Sequence, residues 1–197
     1  MRKLRRGPGH DSAIGYSARK MAPALIFTVD TLPSPLGPML VVSDSQQRLR
    51  ALHWEDQEAR MERELARIYG RQSVRLEQGA APATTRRALE RYFAGKLQAI
   101  DEIPVQTDGT PFQSNVWSAL RTIPAGTTLS YGRMAHRLKC PRAVRAVGFA
   151  NGSNPICIVI PCHRLIGADG SLTGYGGGLE RKQWLLEHEG VRLSDDR

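Results

Sequence analysis

The sequence predicts an α+β unit over residues 21–105, followed by a mostly helical unit over 106–192 that contains a helix-turn-helix. Three observations carry this expectation. From 24 to 54, apolar stretches alternate with turn clusters, which is strand patterning. Two charged stretches then place apolar residues at helical spacing. Near Asp108 the character changes: helix signals take over, and acidic residues vanish from 109 to 168.

Taken in order, ALIFTVD, MLVVSD and RLRALHW, with LPSPLGP as a turn, suggest a short antiparallel sheet. Residues 56–69 read as an amphipathic helix with Gly70 as C-terminal cap, and 84–93 as a second helix. Residues 21–105 hold eleven charges of each sign and show no obvious chemistry. At 110–113, Thr-Pro-Phe-Gln is a helix entry: Thr110 as N-cap, Pro111 at the first helical position, Gln113 closing a capping box. Phe112, Val116, Leu120 and Ile123 share one face of that helix, which Pro124 ends. Ser130 opens a short helix to Leu138, Lys139-Cys140-Pro141 turns, and a second helix runs from Arg142 to about Ala150, where Asn151-Gly152 stops it. On it Val144 and Val147 point inward, while Arg142, Arg145 and Phe149 lie outward. Gly148 costs that helix about 1 kcal/mol relative to Ala, which makes sense if something approaches closely there. Such a pair of helices fits a helix-turn-helix, and fits an ordinary core hairpin as well. The chain closes with a helix at 179–189, capped by Gly190.

Charge narrows the function classes. The chain has 197 residues and a net charge of +9. Residues 1–20 read as a basic, disordered tail and 193–197 as a short second tail. Residues 109–168 hold seven Lys/Arg and no acid, as a surface facing a phosphate backbone would. No apolar run approaches the ~20 residues of a membrane span, so no membrane partner is expected. Three irregularly spaced cysteines argue for a reducing, cytoplasmic setting rather than a disulfide framework. Cys157, Cys162 and His163 lack a second ligand pair for zinc, so neither metal nor cofactor is expected.

The chemistry centres on IVIPCHRLIG, residues 158–167. Ile156, Ile158 and Ile160 alternate with Cys157 and Val159, which reads as a strand buried on both faces, with Cys157 an inert core thiol. Pro161 ends it and delivers Cys162 to an edge where a pocket could open. His163, Arg164 and the basic stretch all favour thiolate. Neighbours in an extended segment face opposite ways, so His163 would reach the thiol through a bridging water. From these four residues alone, a structural cysteine beside a surface histidine fits as well. The run 174–178, GYGGG, lacks the Lys-Ser/Thr ending of a phosphate loop and fits better as a wall admitting a flat ligand.

FQSNVW, IPAGTTLSYG, RAVGFANGSNP, IPCHR, GYGGG and WLLEHEG follow one another in an order that resembles the O6-alkylguanine-DNA alkyltransferases, in their bacterial two-domain form. The likeness spans roughly 24–190 and is dense from Pro111 onward. It implies a ribonuclease-H-like N-terminal domain and a winged-helix-like C-terminal one. It also implies direct reversal: an O6-alkylguanine is flipped out of duplex DNA bound by its minor groove, and the alkyl group passes once, irreversibly, to a cysteine. Carried over by residue, Cys162 is the acceptor, His163 deprotonates it through water, and Glu189 orients that histidine. Tyr131 helps rotate the nucleotide and protonate the purine; Asn154 supports the cysteine–histidine geometry. Arg145 fills the gap left by the base, with Arg142, Ala143 and Gly148 on the same DNA-facing helix. Tyr175, Gly176, Leu165 and Pro161 shape the pocket. The expected partner is lesion-bearing double-stranded DNA, and the protein is expected to be a monomer.

Two departures stand out. Leu165 replaces the usual Val, and Lys139-Cys140 replaces the usual Gly-Asn in the turn. Small Gly176 and Ala168 predict tolerance of bulky adducts. Three other readings remain in view: a lesion-binding adaptor, in which tryptophan replaces the cysteine, a plain helix-turn-helix regulator, and a cysteine hydrolase.

Overall fold

The computed structural model describes residues 24–70 and 74–192, so both predicted tails lie outside the described residues. The N-terminal part is a four-stranded sheet in the order β3-β2-β1-β4. β1 (Leu25–Leu32), β2 (Met39–Ser43) and β3 (Leu49–Trp54) form the antiparallel meander expected from their patterning. β4 (Val74–Gln78) joins β1 in parallel after the crossover helix α1 (Glu58–Tyr69). This short edge strand is not among the expected elements, although Val74-Arg75-Leu76-Glu77 alternates apolar and polar residues.

β2 is buried at all five positions because both faces of the sheet are covered, and a continuous apolar run is what a strand covered on both faces requires. Leu40 and Val42 face Met61 and Leu65 of α1, together with Phe27, Val29 and Ala51. Met39 and Val41 face the larger core, which runs on through α2 (Ala83–Phe93) into the C-terminal part.

The C-terminal part is helical. α3 (Pro111–Leu120) begins with the predicted capping box, Thr110 accepting from the Gln113 amide and Gln113 answering to Thr110 N–H. Its apolar face also includes Trp117, buried with its indole N–H donating 2.8 Å to the Ala150 carbonyl. That bond fixes α3 against α5 (Val144–Gly152). A two-stranded parallel ladder, β5 (Leu129–Ser130) with β6 (Leu165–Ile166), holds the base of α4 (Tyr131–Arg137), which Ser130 caps. α6 (Leu179–His188) closes the chain, and Gly190 follows with a positive φ of 84°.

Three local expectations are corrected. The α4–α5 connection is residues 138–143, longer than the expected three-residue turn. α5 starts later and runs through Asn151-Gly152, because buried Asn151 is bound from within the fold. Val144 is not inward: of the two valines Val147 is buried, and Val144 is exposed, as is Phe149.

Candidate active site

The largest correction concerns residues 156–160, which do not form a strand. Ile156 makes one parallel bridge to Leu52 at the open edge of β3, with the Leu52 and Cys157 amides donating 2.9 and 3.0 Å across it. The chain then folds into overlapping tight turns. The Val159 amide donates to the Cys157 carbonyl and the Cys162 amide to the Ile160 carbonyl, both at 2.7 Å. Ile158 sits at φ +65°, a costly conformation for a β-branched residue, and one that survives only where its surroundings hold it.

Asn154 supplies much of that hold. Its side-chain oxygen accepts from the Ile156 amide at 3.0 Å, and its amide nitrogen donates to the Ile156 and Ile160 carbonyls at 3.2 and 2.8 Å. The apolar side chains are buried as expected, but in a knot of turns docked on the sheet edge.

Out of this knot comes a 3-10 turn, Cys162–Arg164, preceded by buried Pro161. The thiol is 4% exposed. Asn151 donates to the Cys162 carbonyl at 3.3 Å. The neighbouring Cys157 thiol holds the Cys162 thiol below its ordinary range against the opposing effect of burial, with help from Asn154 and the Lys182 charge. Cys157 is therefore buried but not an uninvolved core thiol, and its own titration is pushed up by that contact and by burial.

His163 is fully buried, and its Nε2 lies 3.0 Å from Glu189 Oε1. Glu189 is held down to about 2: bonds from His163 and Arg164 outweigh its burial, the largest opposing effect. An ionised carboxylate only accepts, so Nε2 is the protonated nitrogen of a neutral ring and Nδ1 carries the lone pair. Nδ1 has no protein partner among the described residues. Burial, with Arg164 and Lys182, lowers the imidazole below its ordinary range despite Glu189, which keeps it neutral and basic at pH 7.

The rest of the predicted set divides in two. Tyr175 is at the site: it meets His163 edge-on at 6.5 Å and Trp54 at 6.1 Å, with its hydroxyl buried and unpartnered among the described residues. Tyr131 sits nearby, its hydroxyl raised by burial and by the Cys162 charge, against bonds to Thr173 and Asn151. Arg142, Ala143 and Arg145 lie at the start of α5, Arg142 and Arg145 exposed, away from the buried cluster. Among the described residues a side chain at Gly148 would touch Tyr131 alone, at 3.9 Å, so none of them requires glycine there.

Leu165 is fully buried in β6. The guanidinium end of the Arg60 side chain lies against Gly176 and also donates to the Gly152 carbonyl. Gly177 is required: a β-carbon there would sit 2.5 Å from Trp54.

Four contributors lie outside the set expected from sequence. Arg164, expected from sequence as a charge favouring thiolate, instead lies buried on Glu189, donating to both of its oxygens at 2.8 Å and to the Ile123 carbonyl at 2.5 Å. Lys182 is buried too, its ammonium bridging the Leu165 and Thr173 carbonyls at 2.5 and 2.7 Å and burial lowering it to about 8. Asn151 and Tyr92 are the others, and Tyr92 corrects the expectation that residues 21–105 carry no chemistry. A cleft of about 770 Å³ lies beside α5 near Phe112, Trp117 and Phe149 and includes none of these groups.

A soft, buried thiol with lowered titration, beside a neutral base held by a carboxylate, is built to attack carbon once it is exposed to substrate. Known proteins agree. Residues 28–107 match the family model "6-O-methylguanine DNA methyltransferase, ribonuclease-like domain", and 111–191 match the DNA-binding domain of the same description.

The chain belongs to the O6-methylguanine DNA methyltransferase family.

Within that family it is 49% identical over 164 residues to the methylated-DNA–protein-cysteine methyltransferase of Shigella flexneri, covering 83% of this chain and 96% of that one. Its counterpart in Salmonella typhimurium is 50% identical with the same coverage. Among solved structures, Mycobacterium tuberculosis OGT in complex with DNA superposes with a TM-score of 0.67 at 40% identity, over 84% of this chain and 92% of that one. The two-domain arrangement, α+β then helical, is the family's.

Proposed function

We propose that this protein repairs O6-alkylguanine in duplex DNA by direct reversal, with Cys162 as the single-use acceptor. The observation that carries this is the buried relay from Glu189 through His163 beside the Cys162 thiol. In the ground state Glu189 fixes the imidazole through Nε2–H, and Nδ1 takes the Cys162 proton through a bridging water. The thiolate attacks the alkyl carbon in line. The S–C bond forms as the C–O6 bond breaks, and the electron pair leaves with guanine. Tyr131 gives its hydroxyl proton to the departing purine, a role helped by a phenol that burial keeps protonated. The thioether has no easy reverse reaction, so one molecule repairs one lesion. No cofactor enters any step.

The nucleotide must leave the stack first, at a cost of a few kcal/mol. The α4–α5 pair, as a helix-turn-helix, enters the minor groove; Arg142 and Ala143 face phosphate and Arg145 occupies the place of the flipped base. The exposure of Arg142 and Arg145 on one helix start supports this. So does Gly148, whose missing side chain no neighbour among the described residues demands. The N-terminal sheet with its α1 crossover fits a ribonuclease-H-like domain, the C-terminal helices with the β5–β6 ladder fit a winged-helix-like one, and the protein acts as a monomer.

Mixing the protein with a duplex carrying O6-methylguanine should add one methylene equivalent to its intact mass. The addition should map to the Cys162 peptide and be absent from Cys162→Ala. Tight lesion binding with unchanged mass would instead mark a non-repairing adaptor.

A further inference from the structure

Glu189 is gripped from a part of the chain remote in sequence. Tyr92, in α2, is fully buried, and its hydroxyl donates 2.9 Å to Glu189 Oε1. The same oxygen takes His163 Nε2 at 3.0 Å and Arg164 Nη2 at 2.8 Å, while Oε2 takes Arg164 Nε at 2.8 Å. Each carboxylate oxygen has about two lone-pair sites, so three donors crowd Oε1 while Oε2 takes one. The backbone of Tyr92 is tied to the same helix end, its carbonyl accepting from His188 Nε2 at 2.9 Å and its ring meeting His188 edge-on at 5.2 Å.

We propose that Tyr92 is a positioning residue for alkyl transfer: its hydroxyl holds Glu189 Oε1 and takes up part of the carboxylate charge, which sets the pH below which His163 is protonated and lost as a base. The proposal rests on the reading of Cys162, His163 and Glu189 as the transfer site. Three donors share Oε1, so each weakens what the others receive. An imidazolium at His163 is stabilised by whatever Glu189 charge remains for it. The groups acting on the ring are Glu189 and Lys182 from α6 and its end, Arg164 from its own turn and, edge-on, Tyr175 from the glycine loop, while Tyr92 from α2 reaches it through Glu189. Glu189 favours the charged ring; Arg164 and Lys182 oppose it, as does burial, the largest effect. Tyr92 joins the opposing side by drawing on Oε1. Without the phenol, Oε1 turns to the imidazole, the ring protonates at higher pH, and the base is occupied when it is needed. Phe at this position keeps the ring packed on Phe93 and His188 and removes only the hydroxyl.

The test uses the full chain with excess protein over O6-methylguanine duplex, following transfer to Cys162 by intact mass from about pH 5.5 to 9. In Tyr92→Phe the acid limb of the rate profile should move up by about one pH unit, and the rate should rejoin wild type on the alkaline side. Equal loss at every pH, or an unchanged profile, overturns the proposal, since a merely structural tyrosine does not move the limb. In a His163→Gln background Tyr92→Phe should change nothing further, and a second drop there would count equally against it. Absence of transfer in wild type would strike the underlying reading instead, whatever Tyr92 does.

Discussion

At the scale of single residues, the thiol pair is the least expected feature. Cys157 is the first cause of the lowered titration of Cys162, ahead of Asn154 and Lys182, while burial pulls the other way. A thiol that donates to a thiolate stabilises it only while the donor stays protonated, which the raised titration of Cys157 ensures. Replacing the donor should therefore raise the Cys162 titration and deplete thiolate at neutral pH. Cys157→Ala is expected to slow methyl transfer at pH 7 by up to about tenfold, and the rate should recover as pH rises past the new titration. A pH series of transfer rates checks this; a deficit that persists at high pH would place the effect in packing instead.

At the scale of elements, the turn knot decides where the thiol lies. The Ile156 and Ile160 carbonyls also accept from the Ile160 and Cys162 amides, but the Ile156 amide has Asn154 as its partner, and an unpaired buried amide costs about 1–3 kcal/mol. Asn154→Ala should cost about 2–4 kcal/mol in urea unfolding at pH 7 and slow transfer, because Ile158 loses the bonds that hold its positive φ. A loss below about 1 kcal/mol would mean that the sheet-edge bridge at Leu52 holds the knot alone. The same element shows where sequence reading stops. ICIVI has the periodicity of a strand, and period alone cannot separate an apolar strand from an apolar turn that is fully enclosed. Asn154, two residues before Ile156, does carry a signal, since Asn side chains bond the backbone two residues on. The capping box at Thr110 and Gln113 and the Ser130 cap are legible because their donors and acceptors lie within one helical turn. Tyr92 lies 97 residues from Glu189, and no local pattern announces such a contact. Arg164 is hidden for the same reason: a charge count sees the cation but not the carboxylate that buries it.

At the scale of the whole molecule, the two halves divide the work. The N-terminal sheet braces the knot through Leu52 and grips Glu189 through Tyr92, while the C-terminal helices face outward. Once Arg164 is withdrawn from the surface, Arg133, Arg137, Lys139, Arg142 and Arg145 remain exposed on α4, the turn and α5, and none is in an ion pair among the described residues. Unpaired cations on one helix pair are free to displace counterions from phosphate. With Arg133, Arg137, Lys139 and Arg142 on the phosphate backbone, the log–log slope of DNA affinity against salt should approach about −3.6, each Ala replacement among the four reducing its magnitude by about 0.9. Lys139→Ala and Arg142→Ala should do this with equal loss on lesion and undamaged duplex. Arg145→Ala should behave differently, because a side chain that fills the space of an extruded base acts on flipping as well as on affinity. Transfer from O6-methylguanine in duplex should fall by about tenfold or more, the stacking cost of a base, while transfer from free O6-benzylguanine stays within about twofold, since the free base needs no extrusion. Single-turnover rates on the two substrates, at saturating protein, separate the roles: parallel losses on both would make Arg145 one more phosphate contact.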